Sequence, residues 1–167
     1  ISLSQKMASL LSSRCFRLYA SSDIIGAQLG GACKNIIAIA CGIIEGRGLG
    51  DNARAALVAR GLTEIARLGC AMGAKLETFL GLSGVGDITL TSLSAQSRNK
   101  TFGLSLGKGA NLKELLAKKA TLTEGVFTVS GTVKLAEKYN VEMPITFAMD
   151  AVLNKGKTLE TLIDDLL

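Results

Sequence analysis

From Ala27 to Ile44 the chain is almost wholly apolar, and this run constrains the fold more than any other feature. It is long enough to cross a bilayer. However, Lys34 and Asn35 interrupt it near its middle and Gln28 near its start. A lysine at mid-bilayer costs ~2.5–3.5 kcal/mol or more. The run is therefore expected to be no membrane span but a helix inside a globular domain. Apolar residues cover every face from about Ile25 to Glu45, the pattern of a central helix buried on all sides. Asp23 is placed to cap its start, and Gly46 and Gly48 to end it.

The rest of the chain reads as helices around this one. Asp51 or Asn52 is expected to cap a second long helix over about 52–73. Its apolar stripe runs through Leu57, Val58, Leu62, Ile65, Leu68 and Met72, and its polar face carries Arg54, Arg60, Glu64 and Arg67. A glycine-rich loop follows, then a short helix from Asp87 to Leu93 and a polar turn over Ser94–Asn99. Helices are expected near 4–12, 97–107, 111–118, 124–139, 146–154 and 158–166, with Pro144 opening one of them. Arg14 to Ala20 reads as a short extended piece. The fold class is all-α, one multi-helix domain over 1–167 with about eight helices, two of them long and central. A length of 167 residues suffices for one core. Aromatics make up only 4%, so that core is built from small and aliphatic side chains at close helix contacts. The opening Ile1 to Lys6 lacks an initiating Met and reads as the middle of a helix; the chain is expected to begin inside a longer protein.

Composition excludes several function classes. The net charge of +5 comes from scattered basic residues, the densest being Arg98–Lys100 and Lys118–Lys119, with no interleaved aromatics. That argues for a solvated surface with one anion site and against nucleic acid. No histidine is present, which removes serine–histidine and cysteine–histidine catalysis and imidazole metal sites. A general base must be Lys, Asp, Glu, Tyr or Cys. Cys15, Cys33, Cys41 and Cys70 form no CxxC pair, sit among apolar residues and are expected to be buried free thiols of a cytoplasmic protein, with no metal. Two glycine-rich strings, Gly46–Asp51 and Gly81–Gly86, lack the G-x-G-x-x-G register and a preceding strand, so the chain carries no nucleotide fingerprint.

Three constellations carry polar groups worth chemistry. The first is Gly30-Gly31-Ala32-Cys33-Lys34-Asn35. Helical glycines cost about 1 kcal/mol each against alanine, so these need a packing or ligand reason. A lysine in a buried helix is a candidate proton donor or acceptor; spacing alone equally allows one that snorkels out at a helix edge. The second is Asp87, Thr91, Ser97, Arg98 and Asn99, able to grip an anion by the guanidinium fork and backbone N–H groups, or merely a capped helix with a surface arginine. The third is Glu124 before a helix, equally a first-turn acid complementing the dipole.

Taken together, these blocks resemble the bacterial NAD(P)-dependent glycerol-3-phosphate dehydrogenases. Gly30 to Ala40 is similar to their GGALKNVIAIA segment, with Cys33 where leucine is usual, and Asn52 to Gly69 to their second long helix. Thr78 to Thr91 is similar to their TFxGLxGxGDLxLT block and Ser94 to Asn99 to their SxxSRN block. Glu124-Gly125 and Met143-Pro144-Ile145 complete the order. The resemblance implies the helical fold of the C-terminal domain of 6-phosphogluconate dehydrogenase-like enzymes. It implies Lys34 as the acid/base, and Lys34, Asn35, Asp87, Thr91, Ser97, Arg98 and Asn99 as the substrate pocket. It also implies Arg98, Leu122 and Glu124 at the NAD or NADP cofactor; if Asp87 lies close to Lys34 in that pocket, it is expected to orient the ammonium. The implied reaction interconverts dihydroxyacetone phosphate and sn-glycerol 3-phosphate for phospholipid synthesis. The implied partners are the small-molecule substrate, an N-terminal Rossmann domain missing from this chain and, left open, a second copy in a homodimer. Without that Rossmann domain the chain alone is expected to be inactive. Two other readings are the helical domain of a 6-phosphogluconate or 3-hydroxyacid dehydrogenase, and a non-catalytic helical dimerisation module.

Overall fold

The computed structural model describes residues 2–117 and 124–166. The described residues form ten α-helices and one π-helical turn, and no strand. The central element is α2 (Ile24–Gly46). Asp23 caps it, its Oδ1 accepting from Gly26 N at 2.9 Å. Gly48, at φ +72°, closes its far end, where Gly48 N donates to Glu45 O and Leu49 N to Ile44 O. This closure needs a left-handed residue, which glycine supplies without strain.

Helices α3 (Gly50–Ala71), α5 (Asp87–Leu93), α6 (Arg98–Gly107) and α8 (Glu124–Tyr139) all pack on α2. The stretch Ile36 to Ile44 is inaccessible on every side. Among the described residues, the one helix long and apolar enough to cross a membrane is thus the core of the domain. Its N-terminal part departs from the expectation of complete burial: Ile24 is 67% exposed and Lys34 only partly covered. The closest crossing is α2 on α6, where glycines let two backbones meet. A β-carbon on Gly42 would strike the Lys100 carbonyl, and one on Gly103 the Ile39 carbonyl.

Helix α3 starts at Gly50, and neither Asp51 nor Asn52 caps it: Leu49 occupies the cap position without a side-chain bond. Asp51 lies inside the first turn and pairs with Arg54. Glu64, expected on the polar face of α3, is instead buried at 4% exposure. Its carboxylate accepts from Ile145 N at 2.8 Å, Thr146 N at 3.3 Å and Thr146 Oγ1 at 3.3 Å. It thereby caps α9 (Pro144–Leu153), whose own cap residue, Met143, has no side-chain acceptor. Burial nevertheless pushes the Glu64 carboxyl above its ordinary value, against the lowering pull of those donors.

The glycine-rich stretch expected as a loop is helical. Helix α4 (Leu76–Leu80) runs into the π turn, Leu82–Gly86, and that turn into α5. Helix α7 (Leu112–Ala117) lies on the surface, and α10 (Leu159–Leu166) packs on α9 with Leu162 buried. Helix α1 (Leu3–Leu11) buries no residue. Ser2 and Gln5 form a capping box at its start, so Leu3 to Lys6 is a first turn and not the middle of a helix. The segment after α1 is irregular, without strand partners. All four cysteines are free, but only Cys33 and Cys41 are buried; Cys15, in the irregular segment after α1, and Cys70, near the end of α3, are exposed.

Candidate functional site

Lys34 lies one helical turn beyond Gly30 on the same face of α2. A β-carbon on Gly30 would collide with the Ser83 carbonyl, so glycine there lets the π turn lie directly on α2. That contact sets where α5 begins, and Asp87 is its first residue. The result is a two-pronged ion pair: Lys34 Nζ donates to Asp87 Oδ1 at 2.7 Å and to Oδ2 at 2.6 Å. Both side chains stay partly solvated, at 23% and 33% exposure. An ammonium has three donors, so one N–H remains for a ligand. Thr91, one turn along α5, reaches Asp87 Oδ1 at 3.5 Å, a weak contact.

A second set of bonds ties α2 to the starts of α6 and α8. Ser97 caps α6, accepting from Lys100 N at 3.3 Å. Asn99 Nδ2 donates to Asn35 Oδ1 at 3.0 Å, and Asn99 Oδ1 accepts from Gly125 N at 3.0 Å. Asn35 Nδ2 reaches Glu124 Oε2 at 3.4 Å. Arg98 Nη2 lies 3.5 Å from Glu124 Oε1, with both side chains more than half exposed. Asn35 and Asn99 are buried and satisfied, so their geometry is fixed before any ligand arrives.

These residues line one open cavity of about 330 Å³. Lys34, Asn35 and Thr91 form one wall, Ser97, Arg98 and Asn99 another, and Glu124 the rim. Asp87 stands behind the wall, reached through Lys34. Of the residues singled out in sequence, the structure brings all together except Leu122, which lies outside the described residues. It adds Leu90, Ser94 and Gln96. The signal for them was present: Thr91's neighbour and two positions of the SxxSRN block share the same turn. The two glycine-rich strings form no phosphate cradle. Gly46–Asp51 makes the α2–α3 turn, and Gly81–Gly86 is spent against α2 and the Phe79 backbone.

Fold and pocket together define an α-helical domain with one cavity lined by a carboxylate-held lysine, an arginine and an asparagine. The profile described as NAD-dependent glycerol-3-phosphate dehydrogenase C-terminus matches residues 23–164, and the chain belongs to this family. Among curated relatives, glycerol-3-phosphate dehydrogenase [NAD(P)+] of Rhodospirillum rubrum is 50% identical over 99% of the chain and 47% of its own length. That of Bacillus subtilis is 51% identical over 91% of the chain and 44% of its length. The crystal structure of glycerol-3-phosphate dehydrogenase from Coxiella burnetii superposes with a TM-score of 0.92 at 42% identity, over 98% of this chain and 50% of that one. The Saccharomyces cerevisiae enzyme gives 0.85 at 25% identity, over 97% and 48%. The chain thus spans about half the length of the relatives it matches.

Proposed function

We propose that the protein containing this chain interconverts dihydroxyacetone phosphate and sn-glycerol 3-phosphate with NAD(P), and that the chain supplies its substrate pocket and its proton. One observation carries this reading: Lys34, held from behind by Asp87, shares a single cavity with Arg98 and Asn99. Lys34 Nζ gives its proton to the carbonyl oxygen of the ketone during reduction, and takes the hydroxyl proton in the reverse direction. Asp87 holds that nitrogen in place and disperses its charge. The phosphate lies against Arg98 and the N-terminus of α6, which offers backbone N–H groups beside the guanidinium. Asn35, Thr91 and Ser97 hydrogen-bond the remaining oxygens.

A reduced nicotinamide, when bound, supplies the hydride that arrives at the carbonyl carbon. The described residues suit only its edge: Arg98 and Glu124 stand exposed at the cavity mouth, where an amide or phosphate can meet them. With no glycine cradle in the described residues, the bulk of the dinucleotide falls to a Rossmann domain outside this chain, and Leu122 would join the edge contacts. Which of NADH and NADPH is used is set there. The reading places the enzyme in the cytoplasm, supplying phospholipid backbones.

The test uses the full-length protein. Oxidation of NADH or NADPH is followed with dihydroxyacetone phosphate and with unphosphorylated dihydroxyacetone. Loss of the charge-assisted phosphate contacts should lower kcat/KM by at least about a hundredfold. Equal turnover of the two ketones overturns the assignment. The 167-residue chain alone is expected to reduce neither.

A further inference from the structure

Lys100 follows Asn99 directly on α6, so its side chain leaves the helix about 100° away from the pocket. It points inward, with the side chain 9% exposed. Its ammonium donates to the Leu93 carbonyl at 3.2 Å and pairs with Glu45 Oε2 at 2.9 Å. Leu93 is the last residue of α5, whose terminal carbonyls have no partner within the helix. Glu45 sits at the end of α2 and also binds Arg54 of α3. The Lys100 hydrogen bond is the chief cause holding the Glu45 carboxyl below its usual range. Four helices therefore meet at one ion cluster, in which Lys100 is buried and Glu45 and Arg54 are partly exposed.

The cluster is not needed to fill the core. Replacing a buried ion pair by apolar groups of similar volume is often neutral or stabilising. Its distinct contribution is geometric. Helix α6 is already locked on α2, because the Lys100 carbonyl sits against Gly42 and Gly103 against the Ile39 carbonyl. At the far end of α5, Lys100 supplies a side-chain tie to the Leu93 carbonyl. We propose that Lys100 is a positioning residue: its ammonium holds α5, and with it Asp87, at the spacing from α2 that keeps Lys34 oriented toward the substrate. This rests on the proposed reaction for its kinetic consequence, but not for its structural one.

The experiment uses the full-length protein with Lys100→Met, Lys100→Arg and the double variant Lys100→Met/Glu45→Leu, the last removing both members of the pair. In the double variant the melting temperature should stay near wild type. With α6 still locked, KM for dihydroxyacetone phosphate should change less than about threefold, while kcat falls about tenfold as Lys34 loses its orientation. Lys100→Arg should recover most of kcat. Hydrogen exchange of the α5 amides, which needs no substrate, should quicken at least about tenfold in the double variant and not in Lys100→Arg. A folded double variant with wild-type kcat and unchanged α5 exchange overturns the proposal, as does Lys100→Arg behaving no better than Lys100→Met. Should the wild-type enzyme fail on the triose phosphate while α5 exchange still follows Lys100, the reaction is wrong and the positioning role stands.

Discussion

The two parts of α2 differ more from each other than either does from a neighbouring helix. From Ile36 to Ile44 the helix is sealed on all sides by aliphatic contacts and close glycine crossings. From Ile24 to Asn35 it is covered on one side only: Gly30 meets the neighbouring π turn, while Gly31 faces open space. The first part is an anchor, and the second is the pocket wall that the anchor holds still. Lys34 can remain a partly solvated, ion-paired ammonium because it lies just outside the sealed stretch. One or two turns further along it would be an uncompensated buried charge. A rigid apolar segment continuous with Lys34 fixes the geometry of the cavity wall without adding residues to it.

Substitutions in the two parts should separate activity from stability. The largest effect is expected for Lys34→Ala in the full-length enzyme. Loss of the proposed proton donor should lower kcat/KM by about 10²–10⁴ with little change in melting temperature, read by steady-state kinetics beside calorimetry. Retained activity would return the helical-scaffold reading to the front. In the sealed part, Ile39→Ala should do the reverse. Ile39 is fully buried, so about 2–5 kcal/mol of stability should be lost in urea unfolding, while the folded enzyme keeps its turnover. Gly30→Ala crosses the two behaviours. The added methyl meets the Ser83 backbone and must move the π turn ahead of Asp87; about 1–3 kcal/mol of stability should go, with a larger proportional fall in kcat.

The smallest effect concerns pH. Asp23 ties the start of α2 to α4: its carboxyl is held below the ordinary value by the Thr78 hydroxyl first, then by Gly26 and Lys75 N–H groups. The unfolded chain then binds the proton more readily than the folded one. The stabilisation is complete above the usual carboxylate range and is lost as pH falls through and below it. Glu64 has the opposite sign. Burial raises its pKa, so its ionisation erodes stability as pH rises past the ordinary glutamate value. Unfolding followed across acid pH should show Asp23→Asn flattening the low-pH slope; an unchanged slope would remove Asp23 from this role.

Much of this was legible in the sequence because it rests on local rules. The Asp23 cap, the Ser97 cap, Pro144 at the first turn of α9 and the apolar stripe of α3 are read from periods and neighbouring residues. What was not legible involved partners far apart in the chain. Glu64 looked like a solvent-facing residue because nothing near it reveals that α9 lacks a cap of its own. Lys100 looked like part of a basic cluster, since its acceptors are a carbonyl on α5 and a carboxylate on α2. The glycine-rich stretch over Gly81–Gly86 read as a loop, since a π turn packed on α2 has no local signature.

By itself, then, the sequence determined an all-helical domain with a buried central helix and the set of polar groups from which a pocket is made. Helical periodicity and capping are properties of short segments, and they survive without a tertiary context. Only the tertiary structure decided which of those groups meet. It put Lys34 on Asp87, joined Asn35 to Asn99 and Glu124, and turned Glu64 and Lys100 inward. Burial and long-range backbone approach set those pairings, and both depend on how α2 is surrounded rather than on any residue's neighbours in the chain.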